Sequence, residues 1–343
     1  MSHEKITQYD QEEVEQEMLG HVKIARMARE NPENLDFPRY SLPVSAEDYP
    51  AKTPIMWNRS YQEFDLDAGN IMLVVELARL EHVLVGFRKN KKYIGGGVGV
   101  GLKEHAVEFL DDIDPIAKAI GAVNFVHRLP DGKLKGYNTD GIGYALSLEQ
   151  MLKEDGRDLQ GAKVVLLGAG GTANAVAFAL ADRGAVLSIL NRTEEKAVRL
   201  AKHINEYFGD ARAQGGGEER IEDEANGAVA VINASTKGAT GEFRQFAGLA
   251  PAQKGNLAEN LSRSRDVISS LSSDTIVSDV ILVGEDTPTI KLAKELGRKT
   301  LDGIPMVVLQ GVEAFMIAHG DEIRARGYRE EKVRDSMFQA ARA

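Results

Sequence analysis

KVVLLGAGGTANAVAFALADRGAVLSILNRT, residues 163–193, decides how the fold of this chain is read. KVVLLG (163–168) is an apolar run closed by glycine, as expected of a strand buried on both faces. Residues 169–184 read as a glycine turn and a helix, and AVLSILN (185–191) as a second strand. A strand–turn–helix–strand unit of this length predicts a parallel sheet with right-handed crossovers. G-A-G-G-T-A (168–173) fits the G-x-G-x-x-A pattern. Gly168 permits the tight turn, Gly170 lets the backbone approach a pyrophosphate, and Ala173 keeps helix and strand close. The helix start then offers unpaired N–H groups and partial positive charge to phosphates. NAD enzymes place Asp or Glu at the end of the second strand, but here Asn191-Arg192-Thr193 stands there. The planar fork of Arg192 and the hydroxyl of Thr193 suit a phosphate, which predicts NADP. The alternative is a surface arginine beside a helix cap.

The alternation continues on both sides. Downstream, Glu194–Phe208 reads as a helix, VAVINAS (229–235) and TIVSDVILV (275–283) as strands. GIPMVVLQGVEAFMIAHG (303–320) reads as an apolar helix, followed by a charged amphipathic one from about Asp321. The glycines at 215–217 read as a loop, and the polar stretch 238–273 as a loop with a short helix. Upstream, IMLVVEL (71–77) and IGGGVGVG (94–101) read as strands, and AVNFVHR (122–128) and KLKGYN (133–138) as a hairpin turning at Pro130-Asp131-Gly132. Glu104–Leu110 opens a helical stretch expected to run past Pro115, and another helix spans about Ile142 to Leu152. In residues 1–45, Val14, Met18, Val22, Ile24 and Met27 fall near helical spacing, which predicts an accessory surface helix or oligomer contact.

A chain of 343 residues predicts two domains at roughly 150 residues each. With 42 Lys and Arg against 52 Asp and Glu, the net charge of −10 leaves no basic excess for nucleic acid or an anionic membrane. The absence of cysteine excludes disulfides, thiolate metal sites and a cysteine nucleophile. The charged opening MSHEKITQYDQEEVEQ does not suit a signal peptide, and no uncharged apolar run of about 18 residues is present, so a soluble cytoplasmic protein is expected. Histidines 3, 21, 82, 105, 127, 203 and 319 show no H-x-x-x-H spacing, and no metal is expected.

From about Thr53 to Gly320 the chain resembles the shikimate dehydrogenases. The motifs are TPIMWNRSYQEFDLD (53–67), GAVNFVHRLPDGKLKGYNTDGIG (121–143), GAGGTANA (168–175) with NRT (191–193), Ile232-Asn233-Ala234-Ser235 and DGIPMVVLQGVEAF (302–315), in the family's order. The resemblance implies an α/β fold of two domains with the active site between them. A substrate domain (46–150 with 310–343) binds a cyclic polyhydroxy acid, and a Rossmann domain (151–309) binds NADP; the boundary falls within Asp155–Gly161. It implies Lys103 and Asp140 as the catalytic pair, and Thr53, Asn124 and Gln310 as substrate-binding residues. Its cofactor-binding set is Gly168, Ala169, Gly170, Gly171, Thr172, Ala173, Asn191, Arg192, Thr193, Ala234, Ser235, Val280, Gly303 and Met306. Monomer or homodimer is expected.

Ketone reduction needs hydride at carbon and a proton for the developing alkoxide. An ammonium near that oxygen stabilises the charge and supplies the proton, and a carboxylate orients the ammonium. Taken singly, Lys103 could decorate a helix and Asp140 end a turn. Departures from the family pattern fall on substrate-facing positions. Gly99 and Gly101 replace Thr and Pro, Ala51-Lys52-Thr53 replaces Ser-x-Ser, Trp57 replaces His, and Leu282 replaces a Tyr. A site that loses donors discriminates less well for the group they held, so another ketone or alcohol (quinate-like, an aminocyclitol or a less acidic ring) is the second reading. A non-catalytic NADP sensor is the third.

Overall fold

The computed structural model describes residues 11–239 and 241–342. Expectations placed on residues 1–10, His3 among them, lie outside the described residues. The chain forms two compact units: one contains the described residues up to Thr139 and from Gly311 onward, the other Asp140–Gln310.

In the second unit six parallel strands lie in the order Ala213–Gly217, Val186–Asn191, Lys163–Leu167, Ala230–Asn233, Ile276–Asp279, Lys299–Leu301. Strand order therefore reverses between Lys163–Leu167 and Ala230–Asn233, where doubly wound sheets open a crevice for nucleotides. Val164, Val165, Leu166 and Leu187 are fully buried, as strands covered on both faces require.

Three expectations for this unit are corrected. Gly215–Gly217 is not a loop but part of the edge strand, because a Cβ on Gly215 would lie 2.5 Å from the backbone of Ala197 and Val198. Glycine here is a packing surface that lets the helix Glu194–Phe208 lie close to the strand. The 238–273 stretch carries a full helix, Leu257–Ser270, whose buried Asn260 bonds the Ala247 amide and the carbonyls of Ala247, Ala250 and Pro251, so polar residues there serve the interior. The unit begins at Asp140, not 151, because the helix Asp140–Glu154 packs so closely that a Cβ on Gly141 would lie 2.0 Å from the Ala175 carbonyl oxygen.

The first unit is built on a mixed sheet in the order Gly69–Asn70, Tyr40–Ser41, Tyr93–Gly97, Phe125–Arg128, Leu134–Tyr137, Asp112–Ile113. The hairpin pairs Phe125 with Tyr137 and Arg128 with Leu134. Residues 39–45 run alongside 69–75, where the amides of Gly69, Ile71, Leu73 and Val75 donate to the carbonyls of Arg39, Ser41, Pro43 and Ser45. Residues 11–45, the described part of the 1–45 stretch, are therefore not merely accessory. Met18, Leu35, Tyr40, Leu42 and Val44 belong to the main core, and Met18 on the helix Gln11–Leu19 packs against Gly86. Pro43 and the buried polar Ser41 and Ser45 hide this strand from a search for apolar runs.

The helix expected from Glu104 past Pro115 is also broken. A 3-10 turn at His105–Phe109 leads to the short strand Asp112–Ile113, and a separate helix, Pro115–Ile120, follows. The Asp114 side chain accepts from the amides of Ile116 and Ala117, so Pro115 starts a helix instead of continuing one.

The helix Gly303–Ala325 begins in one unit and ends in the other. It is long and apolar enough to cross a membrane, yet its Val308, Leu309, Val312, Phe315 and Ile323 are buried within the protein. The last helix, Glu330–Arg342, packs on Thr53–Glu63, with Lys332 paired to Glu63 at 2.6 Å and the Lys52 ammonium donating to the Ala341 carbonyl at 2.5 Å.

Candidate nucleotide and substrate sites

The glycine turn opens the crevice of the second unit. Gly168 has φ +123°, and a Cβ on it would stand 2.4 Å from the Ala234 carbonyl oxygen and 3.0 Å from the Ser235 amide. That brings Gly168, Ala234 and Ser235 together and requires glycine. Gly170 differs: its φ is −92° and a Cβ there would meet nothing within 4 Å. The space beside it is where a pyrophosphate would approach the N-terminus of the helix Gly171–Asp182. Gly171 and Thr172 are exposed, Ala169 is half-buried, and Ala173 is buried against the sheet.

Asn233 organises the facing turn. Its side-chain oxygen accepts from the Ser235 amide (3.2 Å) and hydroxyl (2.7 Å), and its amide donates to the Lys237 carbonyl (2.8 Å) and to Asp279 (3.0 Å). Asp279 also accepts from Thr287 at 2.7 Å, and burial pushes its carboxyl up to about 6 despite those bonds. The Val280 amide donates to the Asn233 carbonyl (3.0 Å), and a Cβ on Gly303 would lie 2.7 Å from the Val280 oxygen. Val280 and Gly303 thus pack against each other, with buried Met306 one turn further along the helix.

At the end of the second strand, the Asn191 side chain donates to the Thr193 carbonyl at 2.8 Å. Thr193 sits at the N-cap of the helix Glu194–Phe208, but its hydroxyl makes no capping bond. Exposed Arg192 lies over the Phe243 ring at 5.7 Å and forms no ion pair among the described residues. An unpaired guanidinium, an uncommitted hydroxyl and the free helix start fit a phosphorylated dinucleotide.

In the first unit, buried Asn124 precedes the strand Phe125–Arg128. Its side chain donates to the Thr139 hydroxyl (3.0 Å) and accepts from the Thr139 amide (2.7 Å). The half-buried Lys103 is joined to the segment leading into that strand, because its carbonyl accepts from the Val123 amide at 2.9 Å. Thr53 begins the helix Thr53–Glu63 and is half-buried. Asp140 opens the second unit directly after Thr139, and Gln310 is that unit's last residue. A Cβ on Gly143 would lie 2.5 Å from the Gln310 amide, so Gly143 lets the two helices bearing Asp140 and Gln310 pack closely, and the Gln310 side chain donates to Val307 at 3.0 Å.

Glycines of the 94–101 stretch have packing and backbone roles. A Cβ on Gly99 would stand 3.0 Å from Ser45 Cβ, one on Gly96 would overlap the Leu42 carbonyl, and Gly101 has φ +78°. Trp57 is buried among Tyr61, Phe125, Phe315 and His319, with its indole N–H lacking a hydrogen-bond acceptor. His319 is not an isolated ring, since its Nε2 lies 3.1 Å from the Tyr61 hydroxyl, itself 2.7 Å from Ser41 Oγ. Sequence reasoning missed this network, and it also missed Glu218 with Lys237, which meet across 19 residues without any motif. Among the described residues no cluster of His, Asp and Glu could hold a metal ion.

Family models match two stretches: residues 49–126 match the shikimate dehydrogenase substrate binding domain, and residues 150–213 match shikimate / quinate 5-dehydrogenase. The NADP(+) shikimate dehydrogenase of Methanosarcina acetivorans is 33% identical over 293 residues, 85% of this chain and 94% of that one. Among solved structures, a shikimate dehydrogenase in complex with NADP+ is similar at TM-score 0.70 and 30% identity, covering 90% of this chain and 97% of the other. The ligand-free 5-ketofructose reductase of Gluconobacter sp. strain CHM43 is similar at TM-score 0.67 and 29% identity, covering 88% and 98%. With a relative of that identity aligned over most of both sequences, the chain belongs to the shikimate dehydrogenase family.

Proposed function

We propose that this protein is an NADP-dependent shikimate dehydrogenase, interconverting 3-dehydroshikimate and shikimate. The observation that carries the proposal is the pairing of an open face at Gly170 with an exposed Arg192 that has no acidic partner. When bound, the reduced nicotinamide supplies the hydride. Lys103, as the ammonium, stabilises the oxygen of the reacting ketone and delivers its proton; in the oxidative direction the neutral amine takes that proton back. Asp140 is assigned the carboxylate's part in the acid–base chemistry, and Thr53, Asn124 and Gln310 are assigned to the oxygens of the substrate. The Lys103 carbonyl is held by the Val123 amide, the Asn124 backbone amide by the Tyr137 carbonyl and the Asn124 side-chain amide by Thr139, which favours a preorganised site.

The test is a panel of shikimate, quinate and aminated or decarboxylated analogues, each with NADP+ and with NAD+, following reduced nicotinamide. Turnover of shikimate with NADP+ at about 1–1000 per second supports the proposal. One observation favours the second reading, a different ketone or alcohol: Gly99 has no side chain and its Cβ direction is filled by Ser45, so a hydroxyl of the family pattern is missing. Faster turnover of an analogue lacking the carboxylate would establish that reading instead.

A further inference from the structure

The register of the edge strand Ala213–Gly217 on its neighbour Val186–Asn191 pairs Asn191 with Gly217, which puts the following residues, Arg192 and Glu218, at adjoining strand ends. The register thus brings an acid to the strand end next to that of Arg192, and a carboxylate turned towards this arginine would repel a 2′-phosphate and compete for the guanidinium. Glu218 is buried, and Lys237, also buried, donates to it at 2.7 Å and to the Ala250 carbonyl at 2.7 Å. Lys237 is itself fixed behind Ala234 and Ser235, since its carbonyl accepts from Asn233 (2.8 Å) and its amide donates to Ser235 Oγ (3.2 Å). The next residue, Gly238, donates its amide to the carbonyl of Phe243, whose ring lies beneath Arg192. Burial lowers the Lys237 ammonium from its ordinary range and the nearby Arg192 charge adds to that, while Glu218 opposes both. Of these two cations, the carboxylate pairs with the buried one.

We propose that Lys237 sets the dinucleotide preference as a positioning residue: by engaging Glu218 it keeps that carboxylate off Arg192 and leaves the guanidinium for the 2′-phosphate. The inference rests on Arg192 receiving that phosphate, as proposed above. The two members of the pair must then push the preference in opposite directions. Loss of Lys237 frees an acid beside the ribose, which favours the 2′-hydroxyl of NAD; loss of the acid frees a cation, which favours NADP.

Calorimetric titration of the full chain with NADP+ and NAD+ reads the ratio of the two Kd values directly, without turnover. In Lys237→Gln the preference for NADP+ over NAD+ is expected to fall about tenfold, and in Glu218→Gln to rise about threefold. Changes that weaken both cofactors alike in each variant, or a preference unchanged in either one, overturn the proposal and leave the pair a structural prop. If Lys237→Gln does not fold, the sign of the Glu218→Gln change decides alone. Arg192→Gln tests the underlying reading separately: undiminished NADP+ affinity in that variant removes the phosphate site itself, whatever the pair does.

Discussion

Gly168 and Gly170 are two residues apart in one motif, yet alanine at each should act through different physics. At Gly168 the backbone has φ +123°, and the new Cβ would stand 2.4 Å from the Ala234 oxygen, about 1 Å inside the ordinary contact range that begins at 3.4 Å. A non-glycine residue at positive φ costs about 1–2 kcal/mol, and overpacking adds about 1–3 kcal/mol. Gly168→Ala should therefore lose about 2–5 kcal/mol of stability with no cofactor present, lowering the Tm by about 4–20 °C for a unit of this size. At Gly170 the backbone is in an allowed region (φ −92°, ψ −175°) and the Cβ meets nothing within 4 Å. Removing a glycine's freedom in the unfolded chain should leave Gly170→Ala neutral or about 0.4–1 kcal/mol more stable. Its methyl group would stand between the helix-start amides and the pyrophosphate. Loss of one hydrogen bond to a charged group, about 1.5–3 kcal/mol, weakens NADP+ binding about 10- to 150-fold. Thermal unfolding without cofactor and calorimetric titration with NADP+ separate the two effects. A Gly170→Ala protein that binds NADP+ like the parent refutes the assignment of this turn to the pyrophosphate.

Other outcomes follow from the same structure. Lys103→Met and Asp140→Asn should each lower kcat by about 10²–10⁴ while NADP+ affinity, measured by titration, stays near the parent value. Asp279 is raised from its ordinary 3.8 to about 6, so the folded state holds its proton longer than the unfolded one. Its contribution is present below about pH 4 and is lost as pH rises towards 6, to the extent of about 3 kcal/mol. Denaturant titrations at several pH values should show that slope in the parent and a flatter profile in Asp279→Asn; equal slopes would mean that the carboxyl is not protonated by burial. Phe315→Ala removes a ring buried against Trp57, Tyr61 and His319 and should cost about 3–5 kcal/mol, read by equilibrium unfolding of the first unit.

What the sequence revealed was what is written locally. The strand, turn and helix of 163–193 carry their own periodicity and glycines, so the parallel sheet could be read from one continuous stretch. Gly215 was misread because a glycine shows the same letter whether it turns a chain or admits a helix, and only the helix Glu194–Phe208 lying on it tells the two apart. Residues 39–45 were missed because their partners at 69–75 supply the strand's hydrogen bonds, while their own serines and proline look like a loop. Glu218 and Lys237 leave no trace at all in the chain's text: their meeting depends on the register of two strands and a loop between them. For the proposed substrate and catalytic residues, motif order supplied the names, while the bond from Asn124 to Thr139 and that from the Val123 amide to the Lys103 carbonyl emerged only from the fold.

The chain leaves its first unit at Thr139 and returns to it at Gly311, so the first unit is interrupted while the second is continuous. During synthesis the continuous unit can close on itself as soon as it has emerged. The earlier portion waits, with Trp57, Tyr61 and the face of Thr53–Glu63 uncovered, until Phe315, His319 and the final helix are made. Completion of the first unit should therefore follow synthesis of residues 311–342, and a chain stalled before them would leave that unit's uncovered face open to chaperones and proteases.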